Sequence, residues 1–428
     1  MKIHFIGIGG IGVSALAQYY LSKGHQVSGS DLVSSEITEL LESKGVKIKN
    51  ISEDAEMVIY SPAVQKDNPE YLKAKDIRIK LLSYPEALGE LTKEYFTIAI
   101  SGTHGKSTTC AMLSLILIRA GLDPTIIIGT KLKEFNDSNF RAGKSKYLVI
   151  EACEWNASFL NYYPQIIGLT NIEEEHLDYF RDLNHILEVY TKYISHLSKD
   201  GLLVVNQDDE NIAKIFNSQF SILNKFSIKQ FSIKQEEAKK IRSILKVPGE
   251  HNIYNALGAL TIARELGVSD KIIYEALSEF KGSWRRFEVI EQKIDNKDFT
   301  LINDYGHHPT EVRATLRAIK EKYPDRKIWC VFQPHQYQRT YSLFNDFVKA
   351  LSETQLDKLI ITDIYDVAGR EKSEIIEKVN SEKLVEAINK PWVEYIPQIK
   401  IREYIKENIS DREILLIMGA GNIYDVFN

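Results

Sequence analysis

The chain has 428 residues, 44% of them apolar and 26% charged, a balance that fits a folded soluble protein and argues against disorder. Its formal net charge of −5 offers no electrostatic footprint for nucleic acid or an anionic membrane, so small-molecule partners are expected. At roughly 100–200 residues per domain this length predicts two to four domains, with three as the working figure.

Cys110, Cys153 and Cys330 are widely spaced and form no C-x-x-C pair, which speaks against a disulfide framework or a thiolate zinc site and fits a reducing compartment. The opening "MKIHFIGIGG" moves directly into a strand pattern without the basic, apolar and small-residue regions of a signal peptide. Apolar runs such as "IAIS" and "TIIIG" are far shorter than the ~18 residues a membrane span requires. The expectation is a cytoplasmic protein with no nucleic acid or membrane partner, acting as a monomer or weak homodimer.

From residue 1 to 95 strands and helices alternate: strand "KIHFIGI", helix "GVSALAQYYLSKG", strand "QVSGSD", helix "EITELLESKG", strand "MVIYSP", helix "PEYLKAKD". Repeated βαβ order predicts a parallel sheet. A second α/β unit, residues 96–284, opens with "YFTIAIS" and continues through "SKYLVIEA", "QIIGLTN" and "GLLVVNQ", with a long helical pattern at "LNHILEVYTKYISHL". The tandem "FSIKQFSIKQ" at 226–235 reads as a strand and turn, because two five-residue copies do not make a repeat architecture. A third unit, residues 285–428, runs "FTLINDY", "PTEVRATLRAIKEKY", "KIWCVFQ", "LFNDFVKAL", "KLIITDIY" and "EILLIMG". The fold class is therefore α/β, with three consecutive domains.

Two glycine-rich loops stand at strand-to-helix junctions. In "GIGGIG" (Gly7 to Gly12) backbone N–H groups and a helix dipole can hold a pyrophosphate, and Gly10 and Gly12 would allow close approach. Asp31, about 20 residues on at the end of the second strand, is placed to bind a ribose hydroxyl, as in dinucleotide sites. The second loop, "GTHGKST" (Gly102 to Thr108), adds Lys106, which can reach β and γ phosphates, and Ser107, whose hydroxyl can ligate Mg²⁺. A full Walker pattern would have glycine where this chain has Ile100.

Glu151 ends the strand "YLVIE", and Glu173 and His176 follow the next strand in "TNIEEEHLD", all on the carboxyl edge expected of an open α/β sheet. Carboxylates there suit Mg²⁺, and with His176 they suggest a two-metal triphosphate site. His251, Asn252 and Asn255 occupy the start of the helix in "PGEHNIYNALGA", where Asn252 could be a simple N-cap. Adjacent Arg285 and Arg286 form either a solvated turn or a cationic clamp for a transferring phosphoryl group. In "NDYGHHPTEV", Asp304 ends a strand, and adjacent His307 and His308 cannot face the same way, so one is expected at a ligand and the other buried. "FQPHQYQRT" supplies His335 and Arg339, the latter able to grip a carboxylate with its two-pronged face. "GAGNI" offers one more close backbone approach to something small.

Taken in chain order, "IHFIGIGGIG" with "SGSD", "SGTHGKSTT", "TNIEEEHLD", "PGEHNIYNALGA", "RRFE", "DYGHHPTEV", "FQPHQYQRT" and "GAGNI" resemble the motifs of the Mur ligases over essentially the whole chain. "DYGHHPTEV" points to the alanine-adding branch. The resemblance implies an N-terminal Rossmann-like domain for a UDP-sugar, a central P-loop ATPase-like domain with a parallel sheet, and a C-terminal Rossmann-like domain that brings the amino acid. It implies ATP and Mg²⁺ as cofactors, UDP-N-acetylmuramate and L-alanine as substrates, and a peptide-forming step in cell-wall precursor synthesis.

Residue by residue, the resemblance assigns Gly9, Gly10, Gly12, Asp31 and Ser61 to the UDP-sugar. Gly102, Thr103, His104, Gly105, Lys106, Ser107 and Thr108 fall to the ATP phosphates, His251 and Asn255 to adenine, Asp304 to the ribose and Arg286 to the γ phosphate. Ser107, Glu151 and His176 would serve Mg²⁺, while Tyr305, His307, His335 and Arg339 would surround L-alanine. Glu173, His176 and solvent remain alternatives for the base that frees the amine.

The chain departs from the family pattern in four places: Ser107 replaces a threonine, and "EACEWN" has Cys153 and Asn156 in place of two aspartates. Gln336 stands for an arginine, and the stretch between "FSIKQ" and "PGEHN" is short. Rival readings are a murein-peptide recycling ligase, a NAD-dependent oxidoreductase that would leave "GTHGKST" idle, and a non-catalytic NTP switch that would leave Glu151 and His176 unused.

Overall fold

A computed structural model describes residues 1–218, 226–294, 296–354, 356–367 and 373–427. Three sheets follow one another along the chain. The first has the spatial order Lys47–Ile48, Gln26–Ser30, Lys2–Ile6, Met57–Tyr60 and Lys80–Ser83, all parallel. The second runs Ser227–Phe231, Leu202–Asn206, Ile166–Leu169, Phe96–Ser101, Tyr147–Glu151, Thr125–Leu132 and Ser138–Arg141, parallel except for the last, antiparallel pair. The third runs Glu288–Ile294, Lys297–Asp304, Ile414–Met418, Ile328–Phe332, Lys358–Ile361 and Val393–Tyr395, with only the first pair antiparallel.

Residue type explains which strands are central. "ILLIM" and "IWCVF" are near-continuous apolar runs because helices cover both faces of their sheet. Ile302, Cys330, Phe332, Leu416 and Met418 pack on one side, and Leu301, Val331, Leu415 and Ile417 on the other. Each large apolar side chain buried this way contributes about 1.5–3 kcal/mol. "EVIEQKI" instead alternates half-buried and exposed, the pattern of an edge strand wetted on one face, and it pairs antiparallel.

Contacts divide the molecule into two compact units. The first unit, Met1–Glu173, Leu183–Ile244 and Tyr254–Glu279, holds the first two sheets together. A polar seam joins them: Gln18 donates to Asn139 at 2.8 Å, and Asn139 donates to Ser14 and to the carbonyl of Ile11. The helix Tyr84–Glu94 also approaches the turn Trp155–Asn161 so closely that a Cβ on Gly89 would sit 2.4 Å from the Asn161 carbonyl. The second unit, Glu174–Asp182, Leu245–Ile253 and Phe280–Asn428, is built on the third sheet.

The tandem "FSIKQFSIKQ" forms the strand Ser227–Phe231 followed by a turn. Between that strand and the helix Glu250–Glu265 lies the single helix Glu236–Ile244, and no further strand occurs there. Among the described residues, no helix is long and apolar enough to cross a membrane.

Candidate active site

In the first unit, the loop after Lys2–Ile6 leads into the helix Ile11–Ser22, whose N-cap, Gly10, brings no side chain to its free N–H groups. That leaves the helix end open to an anion. Gly7, at φ 75, leaves no room for a Cβ against Ser61, so the residue after the neighbouring strand borders the loop. Gly12 has a different reason from the expected one: a Cβ there would meet the Tyr84 ring at 2.9 Å, so the glycine makes room for a protein side chain. Asp31 also departs from the dinucleotide expectation. Its carboxylate accepts from the Gly9 N–H at 2.7 Å and the Leu32 N–H at 2.8 Å, capping the loop it was expected to assist across a ribose.

The second loop follows Phe96–Ser101 and opens the helix Lys106–Arg119 at Gly105, φ 81, again with no side-chain cap. Ile100 is fully buried in the strand, and the glycine this shorter loop depends on is Gly102, where a φ of 131 and the 2.0 Å that a Cβ would leave to Thr170 Oγ1 exclude a side chain. The loop is pinned to the next strand end: the Thr103 N–H donates to the Asn171 carbonyl at 2.9 Å and the His104 N–H to Asn171 Oδ1 at 2.8 Å. Thr108 is buried in the first turn of that helix. Glu173 lies beside His104, with Oε2 3.5 Å from Nε2.

Ser107 donates to Glu151 Oε2 at 2.9 Å, and Glu151 Oε1 accepts from the Gly129 N–H. A hydroxyl and a carboxylate this close, at an uncapped helix N-terminus, form a set of hard oxygen donors that fits Mg²⁺. Lys106 donates to the carbonyls of Gly102 and Thr103 and to Glu154, 3.0 Å from Oε2. Burial disfavours the ammonium, yet the facing Glu154 outweighs it and holds the Lys106 pKa above the ordinary lysine value. Sequence reasoning passed over Glu154; its position three residues past Glu151, on the loop leaving the same strand, was the available signal.

The segment "EACEWN" that carries Glu154 has its own backbone logic. Asn156 and Ala157 both adopt left-handed φ, 54° and 50°. Asparagine tolerates that region, which gives Asn156 a conformational reason to stand there, while Ala157 bears a cost of about 1–2 kcal/mol. Cys153 is pushed up to about 11 by burial and by Glu154, so it remains a thiol.

Asn255, expected at adenine, instead buttresses the loop. It is 5% exposed, its Oδ1 accepts from Thr109 at 3.3 Å, and a Cβ on Gly105 would fall 2.2 Å from it. In the second unit, Asn252 donates to the Pro248 carbonyl at 2.7 Å inside the helix Glu250–Glu265, so it is not an N-cap, and His251 lies beside Gly249.

At the carboxyl edge of the third sheet, Tyr305, His307, His335 and Tyr365 form a column of rings with successive centroids 5.3, 5.8 and 5.3 Å apart. His307 contacts Glu311 at 3.1 Å, and His308 is the buried member of the pair, capping the helix Pro309–Lys322. One of the two adjacent histidines is thus buried, and the other lies nearer the surface. Arg339 stands beside the column but is already engaged: Nε donates to Glu175 Oε1 at 2.9 Å, with side chains 5% and 7% exposed, and a terminal nitrogen donates to the His335 carbonyl at 2.8 Å. Burial would raise the Glu175 pKa, but Arg339 foremost, then His176, His308 and His307, hold it well below the usual carboxylate range. The guanidinium expected to grip a substrate carboxylate thus already holds a buried internal ion pair. Glu175, His176, Gln336 and Arg339 line one small cleft.

Asp304 is likewise engaged within the protein: it is 8% exposed and accepts from the N–H groups of Phe287 and Gly306, each at 2.9 Å, and from Thr315 at 3.0 Å. Arg285 is no solvated turn: it is 4% exposed and donates to the Gly419 and Gly421 carbonyls, against the Tyr424 ring. The close approach at Gly421 is made by Gln333 and Tyr365 of the protein itself. Arg286 is more exposed, 3.8 Å from Glu311 and over the Tyr305 ring.

Comparison with known proteins bears on this arrangement. Three family profiles match in order: "Mur ligase family, catalytic domain" over residues 2–96, "Mur ligase middle domain" over 100–263, and "Mur ligase, glutamate ligase domain" over 285–421. The UDP-N-acetylmuramate–L-alanine ligase of Clostridium botulinum is 42% identical over 450 residues, covering 99% of this chain and 96% of the relative. That of Acetivibrio thermocellus is 41% identical over 452 residues, covering 99% and 94%. Both alignments are longer than the 428-residue chain, so these relatives carry residues with no counterpart here. The crystal structure of the UDP-N-acetylmuramate–alanine ligase of Thermotoga maritima superposes with a TM-score of 0.80 at 27% identity, covering 100% of this chain and 97% of that one. With two nucleotide-type loops on successive sheets, a Ser107–Glu151 donor pair and matches along its whole length, the chain belongs to the Mur ligase family.

Proposed function

We propose that this protein joins L-alanine to the lactyl carboxylate of UDP-N-acetylmuramate at the expense of ATP. The observation that carries the reading is the Lys106–Ser107–Glu151 cluster at an uncapped helix N-terminus, in a chain 41% identical over 452 residues to a ligase so named. Residues 1–95 are assigned to the UDP-sugar, 96–284 to ATP and 285–428 to the amino acid. A reaction consuming ATP and a UDP-sugar belongs in the cytoplasm.

A carboxylate is a poor electrophile because its leaving group would be oxide, so it is first phosphorylated to an acyl phosphate. Lys106 holds the transferring phosphates as a point charge, Arg286 takes charge at the γ position, and Gly9 and Gly10 with Ser61 cradle the UDP diphosphate. Ser107 and Glu151 are the residues that would hold Mg²⁺, and an ion bound there would neutralise charge developing on the phosphoryl oxygens. The amine of L-alanine, bordered by Tyr305, His307 and His335, then attacks the acyl carbon and phosphate leaves from the tetrahedral intermediate.

The test is phosphate release in an omission series. Turnover should require ATP, Mg²⁺, UDP-N-acetylmuramate and L-alanine together, and should vanish in Lys106→Ala. ATP turnover indifferent to the sugar would sink the reading, and preference for a peptide over single L-alanine would favour the recycling activity.

A further inference from the structure

Lys106 and Glu154 form a buried ion pair at the point where the phosphate loop must meet its ligand. The side chains are 15% and 3% exposed, with Nζ 3.0 Å from one carboxylate oxygen and 3.4 Å from the other. An ammonium has three N–H donors. Here they are directed at the Gly102 carbonyl, the Thr103 carbonyl and Glu154. The two carbonyls belong to the loop and travel with it, so the position on Lys106 that a phosphate oxygen would take is the one held by the Glu154 carboxylate.

We infer that Glu154 is a built-in stand-in for phosphate: it occupies Lys106 while the loop is empty, and an arriving nucleotide must displace it. The inference rests on the reading of "GTHGKST" as a nucleotide loop. Chemically the exchange is one anion for another on the same cation, with no covalent change. Glu154 sits on the irregular segment after Tyr147–Glu151, just before the left-handed pair Asn156 and Ala157, so no strand ladder has to break for its carboxylate to shift. The exchange makes Glu154 a positioning residue, one that acts on the phosphates through Lys106 and sets how tightly nucleotide is held between turnovers.

The competition has a sign opposite to that of an ordinary supporting residue. A binding site available for only a fraction of the time has its affinity reduced by that fraction, so a latch closed about nine-tenths of the time weakens binding about tenfold. Removing the charge while keeping the shape, in Glu154→Gln, should therefore tighten ADP and ATP binding by about that factor, measured by calorimetry or fluorescence at pH 7.5 without UDP-sugar. Steady-state kinetics should show a lower KM for ATP and, where ADP leaves slowly, a lower kcat. Glu154→Asp, one methylene shorter, should shift affinity the same way by less, which keeps the test available if the glutamine variant folds poorly. ADP bound by the wild type but bound equally or more weakly by both variants would overturn the latch and leave the ligase reading intact. ADP bound by none of the three would overturn both.

Discussion

Arg339→Leu removes the cation from an ion pair that solvent cannot replace, because the Arg339 and Glu175 side chains are 5% and 7% exposed. Breaking a buried pair by deleting one partner costs about 3–5 kcal/mol, since the surviving charge is left in a medium that cannot solvate it. The lost bond from Arg339 to the His335 carbonyl adds to this. Three of the four tryptophans, Trp284, Trp329 and Trp392, lie in the second unit, so their fluorescence in a urea titration at pH 7 reports the change there. Its pH dependence follows from the directions of shift. In the wild type Glu175 is held well below its ordinary value of 4.5, so the pair contributes fully above that value and fades as pH falls through the depressed one. In Arg339→Leu, burial raises the carboxyl pKa, so the folded state gains protons first and the deficit narrows as pH falls from 7 to 5. Adding Glu175→Gln to Arg339→Leu should recover most of the loss at pH 7. A change below about 1 kcal/mol, with a raised KM for L-alanine alone, would refute the reasoning and return Arg339 to the substrate.

Gly102→Ala would place a Cβ 2.0 Å from Thr170 Oγ1 on a backbone at φ 131, and the displaced loop should lower ATP-dependent phosphate release by about 10²-fold or more; near-normal turnover would mean the loop does not position phosphate. Ser107→Ala should raise the Mg²⁺ concentration for half-maximal activity by about tenfold or more while Ser107→Thr leaves it unchanged, and identical Mg²⁺ titrations for all three would remove Ser107 from the metal. Asp304→Ala leaves the donors of Phe287, Gly306 and Thr315 unmatched, a cost of about 3 kcal/mol or more in the tryptophan-monitored unfolding; unchanged stability with a raised KM for ATP would restore the ribose role.

Much of the architecture could be read from periodicity. "KIHFI", "TIAIS", "LLVVN" and "ILLIM" are apolar runs between turn signals, and all are parallel strands. The missed elements were short or mixed in pattern. Lys80–Ser83 is only 4 residues long, although the helix after it carries a readable capping box from Ser83 to Glu86 with a proline at its start. The antiparallel pair Thr125–Leu132 and Ser138–Arg141 was hidden by the intervening "KEFND", where Asn136 and Asp137 turn the chain with positive φ.

The site was legible wherever local geometry decides it. Lys106, Ser107 and Glu151 meet because a strand-loop-helix unit and its neighbouring strand end at the same edge. What a motif does not say is whether polar side chains such as Arg339 and Asp304 are already engaged within the protein. Glu175 is 164 residues from Arg339 in the chain, so only the folded arrangement reveals that the guanidinium is engaged.

The central claim, ATP-driven condensation through a phosphorylated carboxylate, predicts where one oxygen atom goes. With UDP-N-acetylmuramate labelled with ¹⁸O in its lactyl carboxylate, incubated with ATP, Mg²⁺ and L-alanine, mass spectrometry should find one label in each phosphate released, in step with the L-alanyl product. Unlabelled phosphate, or phosphate released without that product, would contradict the account.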